Sequence, residues 1–337
     1  MSAAEQADIS SDWLLVADVG GTNARFALVD KQTNELSQIT YYSVADHNVF
    51  ADALNQFLNS VLANQQWSPY PQEACLAVAG PVDEAVLKFT NSSWEIDAAA
   101  IAMQLGAAPV HLINDFAAIG YATAQLKAKD YIQLGGGCGL ADKPVAVLGA
   151  GTGLGICAVI PTAHRPTVVE AEGGHVDFAP VTSQEIAILN ILLQRYSRVS
   201  YERLLSGAGI VAIYQALAEL VNREGLHNRP EEVYEAAIAG TDTLAMRTMQ
   251  LFCAVLGSFA GNLALTMGAR GGVFIAGGIG PKIRHILEHS EFRNRFESKG
   301  RLRDFLADIP VYLITTSDVG LQGAASYLRS FCSASDL

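Results

Sequence analysis

At 337 residues, 50% hydrophobic and 8% aromatic, the chain has the composition of a folded protein of two domains with aliphatic cores. With 34 acidic against 22 basic residues, its net charge of −12 repels a phosphate backbone, so nucleic acid is not an expected partner. The 5 cysteines, Cys75, Cys138, Cys157, Cys253 and Cys332, are odd in number and scattered without metal-type spacing, which points to reduced thiols in a cytoplasm.

Residues 1–11 are small, polar and acidic, and read as a disordered tail rather than a signal peptide. Residues 14–17 read as a buried strand, Asp18-Val19-Gly20-Gly21-Thr22-Asn23 as a glycine turn, and 24–29 as a returning strand. Glycines there let backbone N–H groups approach an anion, and Asp18 at the strand end can face a hydrated Mg²⁺; a plain hairpin turn accounts for the same residues. Helical apolar spacing covers 49–62, and 75–79 reads as a second buried strand closed by Gly80-Pro81. The polar loop 90–94 offers Asn91 to a sugar, or serves only as a turn that plugs Trp94 into the core. Residues 110–113 form an apolar run that ends in Asn114-Asp115, followed by Phe116, Ala117, Ala118 and Ile119 at helical spacing. That places Asp115 at the C-terminal end of a strand, where open α/β sheets bind ligands, although the Asn-Asp pair also suits a helix cap.

Residues 145–148 then lead into Gly149-Ala150-Gly151-Thr152-Gly153-Leu154-Gly155 and a second strand at 156–160, repeating the first hairpin and implying two similar halves. The dinucleotide fingerprint fails here, because β-branched strand follows the glycines instead of a helix. No Gly-Lys-Ser/Thr run occurs, so a P-loop is excluded. Glu172-Gly173-Gly174-His175-Val176-Asp177 sets carboxylates and an imidazole around two glycines, which suits a polyol whose hydroxyls both donate and accept; a turn carrying solvated acids is the alternative. Residues 197–221 read as one helix with Glu202 near its start, where a helix dipole also favours an acid. The charge-free stretch 251–269 reads as a buried core helix rather than a membrane span. Residues 271–281 give a strand, a Gly277-Gly278 turn and a proline-led helix whose N-terminus suits phosphate or an adenine face. His285, Glu288 and His289 in that helix match a zinc-peptidase spacing, but they fall on its polar face beside Arg284, and that reading is rejected. The basic run Arg293, Arg295, Lys299, Arg301 and Arg303 reads as a solvated face, 311–314 as a last strand, and 320–331 as a closing helix that folds back on the N-terminal domain.

Taken together, Asp18-Val19-Gly20-Gly21-Thr22-Asn23-Ala24-Arg25, Ile113-Asn114-Asp115-Phe116, the 149–155 glycine run, Glu172-Gly173-Gly174-His175-Val176-Asp177-Phe178-Ala179-Pro180 and Phe274-Ile275-Ala276-Gly277-Gly278-Ile279 closely resemble the bacterial glucokinase family, in order and over nearly the whole chain. The resemblance implies an α/β, two-domain actin-like ATPase (ribonuclease H-like) fold with a cleft between domains, and phosphoryl transfer from ATP with Mg²⁺ to the 6-hydroxyl of glucose. It implies domains at 12–125 plus 317–333 and at 126–316. By the same likeness Asp115 is the catalytic base, and Asn91, Asn114, Asp115, Glu172, His175 and Glu202 are the sugar contacts. Ala17, Asp18, Val19, Gly20, Gly21 and Thr22, with Gly151, Thr152, Gly277 and Gly278, would hold ATP, and Asp18 would face Mg²⁺ mostly through water and phosphate. A homodimer without membrane or nucleic-acid partners is expected. A related sugar-kinase group follows its Glu-Gly-His motif with a zinc-binding cysteine cluster; 180–203 here contains no cysteine, so no structural zinc is expected.

Three rivals remain at this level. A sugar sensor of the same fold needs the Glu172 and His175 set but neither Asp115 nor Asp18. An actin-fold ATPase or phosphatase needs the hairpins but not the polyol set. A kinase for another hexose differs by one hydroxyl contact, worth only a few kcal/mol.

Overall fold

The computed structural model describes residues 11–63, 66–80, 82, 86–89, 92 and 94–332, the Cys332 side chain excepted. Asn91 and residues 1–10 of the expected tail lie outside them. Ser11, assigned to that tail, instead bridges Trp67. The chain divides into two compact units, Met1–Gln125 with Ser317–Leu337, and Leu126–Thr316.

In the first unit, β1 (Trp13–Val19), β2 (Asn23–Asp30), β3 (Leu36–Ser43), β4 (Ala74–Val78), the short hairpin of β5 (Val86–Lys88) and β6 (Glu95–Asp97), and β7 (Val110–Asn114) follow in sequence. The five-stranded sheet runs β3-β2-β1-β4-β7. The β1–β3 meander is antiparallel, while β4 and β7 join parallel to β1. The apolar runs of β4 and of β1 up to Asp18 are what strands covered on both faces require. Helix α1 (Phe50–Leu62) buries Phe50, Ala53, Leu54, Phe57, Leu58 and Val61, the helical stripe legible in the sequence. Phe26 of β2 stacks on Phe57 at 5.5 Å and meets Phe50 at 5.6 Å, which fixes α1 to the sheet. Trp94 is buried and donates its indole N–H to the His47 carbonyl at 3.0 Å. Helix α2 (Ala98–Gln104) is capped by Asp97, and α3 (Asp115–Ala122) starts where β7 stops.

The second unit repeats this plan. Its strands are β8 (Tyr131–Gly135), β9 (Val145–Ala150), β10 (Leu154–Ile160), β11 (Thr167–Ala171), β12 (Gly272–Ala276) and β13 (Val311–Ile314). The order β11-β10-β9-β12-β13 matches β3-β2-β1-β4-β7, a meander followed by two parallel crossovers, with β8 added antiparallel at the β13 edge. Helices α4 (Ser183–Arg195), α5 (Gly207–Leu220), α6 (Pro230–Ala239) and α7 (Thr243–Met267) build its core. Helix α7 has the length and hydropathy of a membrane span, but 83% of its apolar window is buried. Its Asn262 donates to the Tyr201 hydroxyl at 3.2 Å.

Three sequence expectations are corrected. The helix expected over 197–221 begins only at Gly207, because Ser206 caps it by accepting from the Gly209 N–H at 3.1 Å. The preceding residues bond sideways, with Phe178 N–H to Val199 O at 3.0 Å and Tyr201 N–H to Val176 O at 3.0 Å. The proline-led helix is two pieces, α8 (Ile279–Lys282) and a second turn at Arg284–Glu288, joined at buried Ile283. The basic run is not uniformly solvated: Arg293 spans Glu297 and the carbonyls of Leu306, Ala307 and Ile309, and Arg295 pairs at 2.6 Å with Glu185, itself 1% exposed. A buried carboxylate needs such a partner, and Arg295 ties the first turn of α4 to the segment Phe292–Glu297.

Candidate functional site

Parallel pairing aligns Val19 with Val78 and Val78 with Asn114, so the ends of β1, β4 and β7 share one edge of the first sheet. Asp115 therefore lies two strand spacings, roughly 10 Å, from the first glycine hairpin. Asn114 is the helix cap: its Oδ1 accepts from the N–H groups of Phe116 at 2.9 Å and Ala117 at 3.2 Å, and its Nδ2 donates to Gly80 O at 3.3 Å. Asn114 thus holds the start of α3 while keeping a second amide hydrogen, and Asp115, partly exposed on the first residue of α3, accepts from the Phe116 N–H at 2.9 Å. Its carboxylate sits where the helix dipole favours negative charge.

The first hairpin is tighter than the sequence suggests. Asp18 and Val19 still pair with Arg25 and Ala24, leaving Gly20, Gly21 and Thr22 as the tip, with Gly20 N–H donating to Asn23 O at 2.9 Å. Ala17 is buried within β1. Sequence reasoning missed Arg25 as a partner: its guanidinium donates to Asp18 Oδ2 at 3.0 Å and to Ser317 O at 2.9 Å, joining the hairpin to the segment before the C-terminal helix Val319–Cys332. The signal was the antiparallel register, which sets Arg25 across from Asp18. Burial pushes the Asp18 carboxyl above its ordinary value, against the pull of Arg25 and with a smaller push from Asp318. A carboxyl whose folded pKa exceeds its unfolded one costs stability once pH rises through the folded value. Asp18→Asn should therefore melt no lower than the parent at pH 7–8, with the margin closing as pH falls through the raised folded value towards about 4, while turnover with ATP falls. A thermal melt series across pH, run beside the activity assay, checks both halves.

In the second unit the expected polyol set is brought together. Glu172 precedes a single 3₁₀ turn, Gly173–His175. Glu202 follows Tyr201, which is buried and stacks on Phe259 at 4.2 Å. The Glu202 N–H donates to Gly174 O at 2.9 Å, and the carboxylate stands 3.8 Å from His175 Nδ1, whose Nε2 lies 4.0 Å from Glu172. Gly174 is obligatory, because a Cβ there would sit 2.2 Å from Leu154 O. Arg198 bonds Asp177 at 2.6 Å and the His175 carbonyl, bracing the same turn. The second hairpin tip, Gly151, Thr152 and Gly153, lies beside it, and Gly277 packs on the backbone of Ala150 with φ +83°. Gly278 is exposed at the start of α8, which at 4 residues is a single turn and not the helix expected to receive phosphate. His285, Glu288 and His289 keep their ligand atoms within 4.8 Å of one another, but all three are exposed and Glu288 already pairs with Arg284 at 3.0 Å.

The family model for glucokinase matches residues 15–331. The chain is 43% identical over 317 residues to the glucokinase of Pectobacterium atrosepticum, covering 94% of this chain and 97% of that protein. This chain belongs to the glucokinase family. The crystal structure of a glucokinase from an Antarctic psychrotroph superposes with a TM-score of 0.84 at 35% identity, over 94% of this chain and 99% of that one. A ROK family glucokinase from Streptomyces griseus, solved with glucose and AMPPNP, shares the fold at a TM-score of 0.61 and 18% identity, over 94% of this chain and 99% of that one. The fold is that of the actin-like ATPases, as the repeated strand order of the two units already implied. The paired glycine hairpins offer backbone N–H groups of the kind that can cradle an anion, and the Glu172, His175 and Glu202 cluster offers carboxylate and imidazole groups that can bond hydroxyls.

Proposed function

We propose that Asp115 is the general base of this kinase, that Asn91, Asn114, Glu172, His175 and Glu202 serve the sugar, and that Ala17, Asp18, Val19, Gly20, Gly21 and Thr22 with Gly151, Thr152, Gly277 and Gly278 serve ATP. The reaction is transfer of a phosphoryl group from ATP to glucose, giving glucose 6-phosphate and ADP. The approach of His175 to Glu172 at 4.0 Å on one ring nitrogen and to Glu202 at 3.8 Å on the other, beside a glycine hairpin, is the observation that carries the sugar assignment. Carboxylates accept from sugar hydroxyls while the imidazole donates or accepts according to its tautomer, so one set grips a polyol and discriminates its hydroxyl pattern.

Phosphoryl transfer is mostly positioning and charge neutralisation, and the backbone N–H groups of the hairpin tips suit both tasks. Asp115 orients the attacking hydroxyl and receives its proton as the new P–O bond forms. Mg²⁺ carried by ATP supplies further neutralisation of phosphate charge. Asp18, with Arg25 on its Oδ2, would hold such an ion mostly through water. A coupled assay of ADP release from Mg²⁺-ATP, with and without each common hexose, tests the reading. ADP formed only with glucose is the expected result; equal ADP without sugar would favour an ATPase, and no ADP under any condition would favour a sensor.

A further inference from the structure

Glu202 is where the sugar motif and the second glycine hairpin meet. Its Oε1 stands 3.8 Å from His175 Nδ1, while its Oε2 accepts a hydrogen bond at 3.0 Å from the backbone N–H of Leu154, the first residue of β10 after the hairpin tip. The same tip is held from behind, where the Gly207 N–H donates to Gly151 O at 2.9 Å just after the Glu202 segment ends. Gly153 lies between. It is not among the glycines with positive φ, so no backbone strain demands glycine there. Space does, because a Cβ at 153 would lie 2.7 Å from Glu202 Oε2 and 3.5 Å from its carboxyl carbon. That atom is the end of a flexible side chain, so the relief of the clash is for the carboxylate to move.

We propose that Gly153 is a positioning residue: by lacking a Cβ it lets the hairpin tip seat Glu202 on the Leu154 N–H, so that one carboxylate couples sugar binding to nucleotide binding. The inference rests on reading Glu202 as a sugar contact and Gly151 and Thr152 as nucleotide contacts. One oxygen answers the sugar side and the other answers the hairpin, so any shift of the tip on binding ATP phosphates rotates or relaxes the group that grips glucose. Coupling of this kind is reciprocal, and each ligand should tighten the other by the same factor.

The test is calorimetric titration of glucose into the full-length protein, with and without the β,γ-imido analogue of ATP plus Mg²⁺. The unmodified protein should bind glucose at least about fivefold more tightly with the analogue present. Gly153→Ala should weaken glucose binding about tenfold and bring that ratio to within twofold of unity. Glu202→Asp, which leaves the hairpin sequence intact, withdraws the same oxygen and should abolish the ratio as well, which keeps the test decisive if Gly153→Ala does not fold. In the double variant the two losses should not add, because the carboxylate that the new methyl displaces has already retreated. An unmodified protein that phosphorylates glucose, while either variant keeps the coupling ratio of the parent, overturns this inference alone. An unmodified protein that binds no glucose overturns the functional reading and this inference with it.

Discussion

Asp115→Asn is expected to lower turnover by roughly 10²–10⁴-fold, with glucose affinity falling far less. The substitution keeps the size of the side chain and an oxygen able to accept from the Phe116 N–H, the contact that orients the group at 2.9 Å. It removes the capacity to take up a proton at neutral pH. Helix α3 should stay in place, since its cap is the Asn114 side chain and not Asp115. The contrast with Asn114→Ala is therefore informative. Loss of that cap should cost about 1 kcal/mol of stability and loosen the position of Asp115 through the chain, lowering turnover and melting temperature together. Pre-steady-state quench-flow of Asp115→Asn should show the slow step in the transfer itself, and full turnover in this variant would remove Asp115 from the chemistry.

Much of this architecture was legible because it is periodic or punctuated. The stripe Phe50, Leu54, Phe57, Leu58, Val61 is a helix face in any context, and the internal repeat of strand, glycine turn and strand announced the repeated sheet order. Glu172 and His175 could be paired from sequence because a glycine pair separates them in a single turn. What stayed hidden depended on bonds between distant residues. Residues 197–206 are rich enough in apolar residues to pass as helix, although α5 starts only at Gly207. Sideways hydrogen bonds to 174–178 hold that segment open, and those bonds carry Glu202 to His175. Arg293 and Arg295 looked like a solvated face because local sequence shows alternating charge and not the carbonyls and buried Glu185 that they reach. The role of Gly153 was invisible for the same reason, since the atom it makes room for belongs to residue 202.

Gly323→Ala should be the most damaging single methyl in the first unit. The C-terminal helix Val319–Cys332 packs across α3 and along β1 and β4, and a Cβ at 323 would stand 1.8 Å from the Ala118 carbonyl oxygen, a backbone atom with no rotamer in which to retreat. The helices must part, and overpacking of this kind costs about 3 kcal/mol, which lowers the melting temperature by roughly 6–12 °C. The same helix touches the first hairpin one turn earlier, where a Cβ at Gly320 would stand 2.8 Å from the Asp18 carboxylate. There the nearest obstructed atoms are the carboxylate of a side chain, with Asp18 Cβ at 3.2 Å behind it, so Gly320→Ala should cost less stability than Gly323→Ala, displace Asp18 from Arg25 and raise the Michaelis constant for ATP. One helix thus seats both the hairpin assigned to ATP and the helix that begins at Asp115, through two glycines three residues apart. Thermal melts with kinetics on the two variants separate the effects: Gly323→Ala should lose stability first and turnover as a consequence, because α3 carries Asp115 away with it. Equal melting temperatures for Gly323→Ala and the parent would mean that the helix pair has slack that the 1.8 Å approach denies.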